Sequence, residues 1–103
     1  MDDTNDTQWY RQVAELLRTD GDGSPHLVID LDRLDDNVAT VRALIAPNLR
    51  MRLVQKSLPS LDLLRHLAER LSTRSLMVFH RPYLNLYARA APEFDLLVGK
   101  PLP

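Results

Sequence analysis

Short apolar runs alternate with helix-spaced apolar stripes along this chain. The first stripe lies in TQWYRQVAELLRTDGDG, where Trp9, Val13, Leu16 and Leu17 share one face. Thr7 is placed to cap its start, the polar residues 1–7 are expected to fray, and Gly21 and Gly23 stop the helix. From Ser24 a strand-then-helix unit repeats. HLVIDL reads as a strand, and DRLDDNVATVRALIAP as a helix with Asp32 at its N-cap and Leu34, Val38, Val41 and Ile45 along one stripe. MRLVQK is the second strand, and SLDLLRHLAERLS the second crossover helix, with Leu61, Leu64, Leu67, Ala68 and Leu71 inward. SLMVFH is the third strand, and RPYLNLYARAAP a helix opened by Pro82 and closed by Pro92. FDLLVG is the fourth strand, followed by KPLP.

This rhythm predicts right-handed βαβ units and a parallel sheet, so the fold class is α/β. Parallel strands are covered on both faces, which explains continuous apolar runs in place of strict alternation. No Asn-Gly or similar dipeptide joins neighbouring strands, so hairpins are not expected. A flat doubly wound domain can stop after a strand, whereas a (β/α)8 barrel of ~250 residues would lack about half its length here.

Composition narrows the function without identifying it. The 103 residues are 45% hydrophobic and 26% charged, as in ordinary globular proteins. Thirteen basic against 14 acidic residues give a formal charge of −1, which predicts no general affinity for nucleic acid or anionic membranes. There is no cysteine, which excludes disulfides and cysteine-based zinc sites. The acidic start MDDTNDTQWY is unlike a secretory signal, and no apolar run reaches the ~20 residues of a membrane helix, so a cytoplasmic protein is expected.

The carboxyl ends of parallel strands are where such folds keep their chemistry. Lys56 falls there on the second strand, just before a turn through Ser57, Leu58 and Pro59. His80 and Arg81 fall there on the third strand, Gly99 and Lys100 on the fourth, and Asp30 and Asp32 near the end of the first. A lysine attacks a carbonyl as the neutral amine, a form that desolvation and neighbouring cations favour. Lys56 is therefore a Schiff-base candidate as well as a candidate solvated residue. His80 is placed either to contact a ligand or to cap a helix, and Arg81 either to bind an anion or to face water. Lys100 and His66 are expected in solvent, and His26 lies at the wrong end of the sheet. Asp35 and Asp36 suit the first turn of a helix, without further ligands at metal-binding spacing. Asn37 is expected to tether backbone, and Trp9 and Tyr10 to pack. No strand-to-helix turn is glycine-rich, which disfavours a nucleotide site.

HLVIDLDRLDDNVATVRALI resembles the opening of the alanine racemase N-terminal domain superfamily, the fold type III pyridoxal-phosphate enzymes. Its members begin with a strand of the form V-x-D-L-D-x-L followed by a helical asparagine, here Val28, Asp30, Leu31, Asp32, Leu34 and Asn37. The next strand of that family ends in the lysine that carries pyridoxal phosphate, and Lys56 falls at the matching place. The branch it is most similar to is the D-threonine aldolase and D-serine dehydratase-like group, over residues 25–103. Ser60 stands where alanine racemases have a phosphate-holding tyrosine, and KSLP where the aldolase-like branch tends to have Lys-Thr-His-Lys.

The resemblance implies the first half of a (β/α)8 TIM-type barrel, with about four parallel strands and their crossover helices, preceded by an N-terminal helix. Residues 1–23 would form the tail and leading helix, and 24–103 the partial pyridoxal-phosphate-binding barrel. It implies a pyridoxal-phosphate-dependent lyase or isomerase acting on a small amino-acid substrate, by racemase, aldolase or dehydratase chemistry. Lys56 would be the catalytic Schiff-base residue, with His80 and Arg81 as further cofactor-binding residues and no metal ligand in this portion. The resembling enzymes often pair subunits, which implies a homodimer at full length, and the chain alone is expected to be inactive. The alternative is a small non-enzymatic α/β binding or interaction domain.

Overall fold

The computed structural model describes residues 3–57 and 59–102, so the expected turn at Leu58 lies outside the described residues. Four helices and three parallel strands follow one another in the order α1 (Asp3–Asp20), α2 (Leu31–Leu44), β1 (Leu53–Val54), α3 (Leu61–Arg70), β2 (Ser75–Val78), α4 (Arg81–Ala90) and β3 (Asp95–Val98). The sheet order is β1-β2-β3, with Leu53 beside Leu76, Val54 beside Met77 and Leu76 beside Leu96. Consecutive parallel strands joined by α3 and α4 are the βαβ arrangement the sequence predicts.

One face of the sheet is packed. Leu53, Leu76 and Val78 meet Leu64, Ala68, Tyr87, Ala91 and Phe94, and Leu76, Val78, Tyr87 and Ala91 have no exposed surface. Leu61, Leu64, Leu67, Ala68 and Leu71 all join this core, so the α3 stripe is read correctly from its spacing. Ser60 caps α3 by accepting from the Leu63 amide, and Pro82 sits in the first turn of α4.

The amino-terminal third differs from expectation. The segment HLVIDL forms no strand: residues 25–30 have no regular secondary structure, and Leu31 already begins α2. Leu27 is 76% exposed, and Val28 and Ile29 are each 38% exposed. An apolar run encodes a tendency to be buried but not a partner, and a parallel strand is held only when its faces are covered. Leu16 and Leu17 at the end of α1 face Leu27 and Val28 across an open cleft that leaves this segment uncovered.

The cap of α2 is Asp30, not Asp32. Asp30 has extended backbone, and its Oδ1 accepts from the Arg33 amide at 3.1 Å, while Asp32 joins the first helical turn. Thr7 is likewise inside α1, which starts at Asp3, where acidic residues suit the helix dipole. Leu16 and Tyr10 are largely exposed, so α1 is held mainly by polar contacts near its start. Trp9 Nε1 donates to Asp30 Oδ2 at 2.6 Å, the Arg33 guanidinium lies 4.5 Å from the Trp9 ring centroid, and Arg33 pairs with Asp6 at 3.1 Å.

The Arg33 amide and then the Trp9 indole hold the Asp30 carboxyl below its ordinary 3.8. A depressed carboxylate stabilises the folded state above the unfolded value, and that contribution is lost as pH falls through the folded one. Acidification below 3.8 is therefore expected to release the α1–α2 corner. Fluorescence of Trp9, the single tryptophan, reports the step, and Asp30→Asn removes it.

Candidate functional site

Alternation along β1 sends Leu53 and Gln55 toward the helices, and Arg52, Val54 and Lys56 to the other face. The register extends this into three rows across the helix-free face. Arg52, Ser75 and Asp95 form a polar row at the amino-terminal end, where Arg52 donates to the Leu76 and Asp95 carbonyls and pairs with the Asp95 carboxylate at 2.6 Å. Val54, Met77 and Leu97 form an apolar row, with Val54 52% and Leu97 45% exposed. Lys56, Phe79 and Gly99 form the row at the carboxyl-terminal rim. Pairing continues to that rim, since the Gln55 amide donates to the Met77 carbonyl and the Gly99 amide to the Val78 carbonyl.

The third row has a specific geometry. The Phe79 ring leans across β3, so that a Cβ on residue 99 would lie 2.5 Å from Phe79 Cε1 and 3.0 Å from Met77 Sδ. Gly99 thus leaves the space that the Phe79 ring occupies. The Lys56 Nζ stands 4.9 Å from the Phe79 ring centroid. Lys56 is exposed, so the desolvation expected from flanking apolar residues is not provided. An exposed amine on an aromatic surface remains open to solutes of its own size.

The other rim residues have local duties. His80 caps α4, its Nδ1 accepting from the Tyr83 amide at 3.3 Å. Its ring stacks on Tyr83 with centroids 4.2 Å apart and planes 12° apart. Arg81 is the exposed first residue of α4, and Lys100 is exposed just beyond Gly99. α3 and α4 both begin at this rim, so the positive ends of their dipoles lie on the side of Lys56.

His66 is not a solvent-facing residue. Its Nε2 meets Asp35 Oδ1 at 2.6 Å, and Arg70 pairs with Asp35 Oδ2 at 2.9 Å, so Asp35 ties α2 to α3. His26 contacts Asp22 in the loop after α1, away from the sheet. Among the described residues no three His, Asp or Glu side chains are grouped to hold a metal ion, and no helix is long and apolar enough to cross a membrane.

Two open clefts of about 440 Å³ lie at the opposite end of the sheet. One is bordered by Arg65, Ser72, Arg74, Glu93 and Phe94, the other by Arg42, Pro47, Met51 and Leu71. They gather no nucleophile-and-base pair, and Arg65 is bound to Glu93 and to the Ala90 carbonyl.

Three neighbours of Lys56 escape a reading of the sequence alone. Phe79 looks like an ordinary strand-end hydrophobe until the register sets it beside Gly99. Gln55 is 2% exposed, and its Nε2 has no hydrogen-bond partner. Beside it, Tyr87 is fully buried and donates its hydroxyl to the Pro59 carbonyl at 3.2 Å. Burial pushes the Tyr87 hydroxyl above its ordinary 10.0, opposed by the Gln55 side chain. A glutamine inside an otherwise apolar strand is the one visible sequence signal for this trio. No family model, curated protein or solved structure matches the chain.

Proposed function

We propose that this chain supplies part of a pyridoxal-phosphate-dependent enzyme acting on amino acids, of racemase, aldolase or dehydratase type, with Lys56 as the residue that carries the cofactor. The carrying observation is the third row: an accessible primary amine at the carboxyl-terminal rim, on the helix-free face, resting on Phe79 where Gly99 leaves space. The sheet order and the uncovered face also support a half-barrel, whose inner side this face would be.

The donor set fits an aromatic aldehyde bearing an anion. Lys56 would hold the aldehyde carbon, Phe79 would bear on the ring and keep water from one side, and Arg81 and Lys100 would favour the phosphate. When bound, the cofactor supplies an electron sink for charge left at the substrate α-carbon. Lys56 Nζ, once exchanged for the substrate amine, would serve as base for the proton at that carbon.

A second reading rests on the Val54–Met77–Leu97 row, of which Val54 and Leu97 are exposed, and favours a binding domain that uses this face for a partner. Titration of the protein with pyridoxal phosphate separates the two. The enzyme reading expects a visible absorption band that borohydride bleaches, leaving a pyridoxyl group on Lys56. A folded sample that gives no such band supports the binding domain.

A further inference from the structure

The residue that carries Lys56 is not in a strand. β1 ends at Val54 and α3 begins at Leu61, so the amine belongs to the connection between them. The described contacts tie that connection at three places. At its start, the Gln55 amide donates to the Met77 carbonyl at 3.0 Å. At its end, Ser60 Oγ accepts from the Leu63 amide at 3.2 Å. Between them, Tyr87 reaches out of the core of α4 and donates its hydroxyl to the Pro59 carbonyl at 3.2 Å.

The third tie is unlike the others because it comes from another element and from the largest fully buried side chain among the described residues. Tyr87 has no exposed surface, and buried tyrosines fix their hydroxyl on a partner. Here the partner is a loop carbonyl three residues beyond Lys56. Proline at 59 adds stiffness at the same point, since its φ is fixed. The flanking Gln55 side chain is buried in the same packed layer beside the Tyr87 hydroxyl, and its amide nitrogen makes no well-formed hydrogen bond among the described residues. A buried donor without a partner is costly, and a core evolved for packing alone would be served as well by leucine or methionine. The polar pair therefore calls for a purpose beyond packing.

We infer that Tyr87, seated beside Gln55, is a positioning residue for Lys56: its hydroxyl holds the chain at Pro59, three residues after Lys56, so that the amine stays on Phe79. This rests on the reading of Lys56 as the cofactor lysine. Tyr87 touches no substrate or cofactor; it acts through the backbone at Pro59.

The chain has only two lysines, Lys56 and Lys100, so Lys100 is an internal reference for pyridoxal-phosphate labelling. Native protein is treated with pyridoxal phosphate, reduced with borohydride and digested, and the Lys56-to-Lys100 ratio of pyridoxyl label is measured for wild type and Tyr87→Phe. Phenylalanine keeps the core volume and removes only the tether. The ratio is expected to fall about two- to tenfold, the range that one net hydrogen bond supports, in a variant whose circular dichroism is unchanged. A folded Tyr87→Phe with the wild-type ratio overturns the inference. Should Tyr87→Phe unfold, Tyr87→Met takes its place, since methionine adapts to irregular core space and likewise lacks the hydroxyl. A lowered ratio in that variant supports the inference and an unchanged one contradicts it. Wild type with no preference for Lys56 overturns the cofactor reading itself, and this one with it.

Discussion

Lys56→Arg is expected to remove most of the visible band produced with pyridoxal phosphate and to leave the fold intact. Arginine keeps the positive charge and can still rest on the Phe79 ring, so the local electrostatics change little. Its guanidinium cannot lose its proton in a protein and does not condense with an aldehyde. Label after borohydride would then fall on Lys100 and the amino terminus alone. Lys56 is exposed, and substitutions at such positions stay within about 0.5 kcal/mol of neutral. A thermal midpoint close to wild type is therefore expected beside loss of the part of the band that Lys56 carries. Retention of the full band by Lys56→Arg would move the reactive amine elsewhere.

Leu76→Ala is expected to produce the largest loss of stability. Leu76 lies on the central strand, between Leu53 of β1 and Leu96 of β3, and has no exposed surface. Truncating a buried leucine costs about 2–5 kcal/mol, through lost transfer energy and the cavity left behind. Domains of this size have a total stability on the order of 5–15 kcal/mol. The denaturation midpoint in urea should therefore fall by a large fraction of its wild-type value. Both flanking strands pack through this side chain, so the row of Lys56, Phe79 and Gly99 loses its register in the same transition. Leu97→Ala is the control, because Leu97 is 45% exposed on the helix-free face. A cost at Leu97 equal to that at Leu76 would show that this face is covered in solution.

The parts of the fold that could be read from the sequence are those encoded by local spacing. The stripe of α3 specifies five inward residues, and all five join the core. Pro82 marks the start of α4, and the apolar runs of β1, β2 and β3 give their order and direction. What failed depended on choices that spacing does not make. HLVIDL has the composition of a strand, but pairing needs a neighbouring edge and a covering layer, and the segment stays irregular and largely exposed. Asp30 and Asp32 are equally good caps by residue type, and the extended backbone at 30, with Trp9 on the second carboxylate oxygen, selects the first. His66 looks solvated on a helical wheel because the wheel omits Asp35 on α2.

The candidate site divides in the same way. Lys56 was legible because a lysine closing an apolar strand is conspicuous, and its placement at the carboxyl-terminal rim follows from strand direction. His80 admitted either a ligand or a capping role, and the structure gives it the cap. Phe79 could not be found without the register, since its contact with Gly99 joins residues of different strands. The Tyr87 tether joins α4 to a loop 28 residues earlier in the chain, a contact that periodicity does not encode.

The account turns on the native surroundings of one amine, and a comparison of native with unfolded protein tests it most directly. Initial rates of pyridoxyl incorporation at Lys56 and Lys100 are measured by peptide mapping in buffer and again in concentrated urea. Faster incorporation at Lys56 than at Lys100 in the native protein, with the difference erased by urea, is the predicted result. Equal rates in both states would mean that Lys56 is an ordinary surface lysine, and would contradict the account.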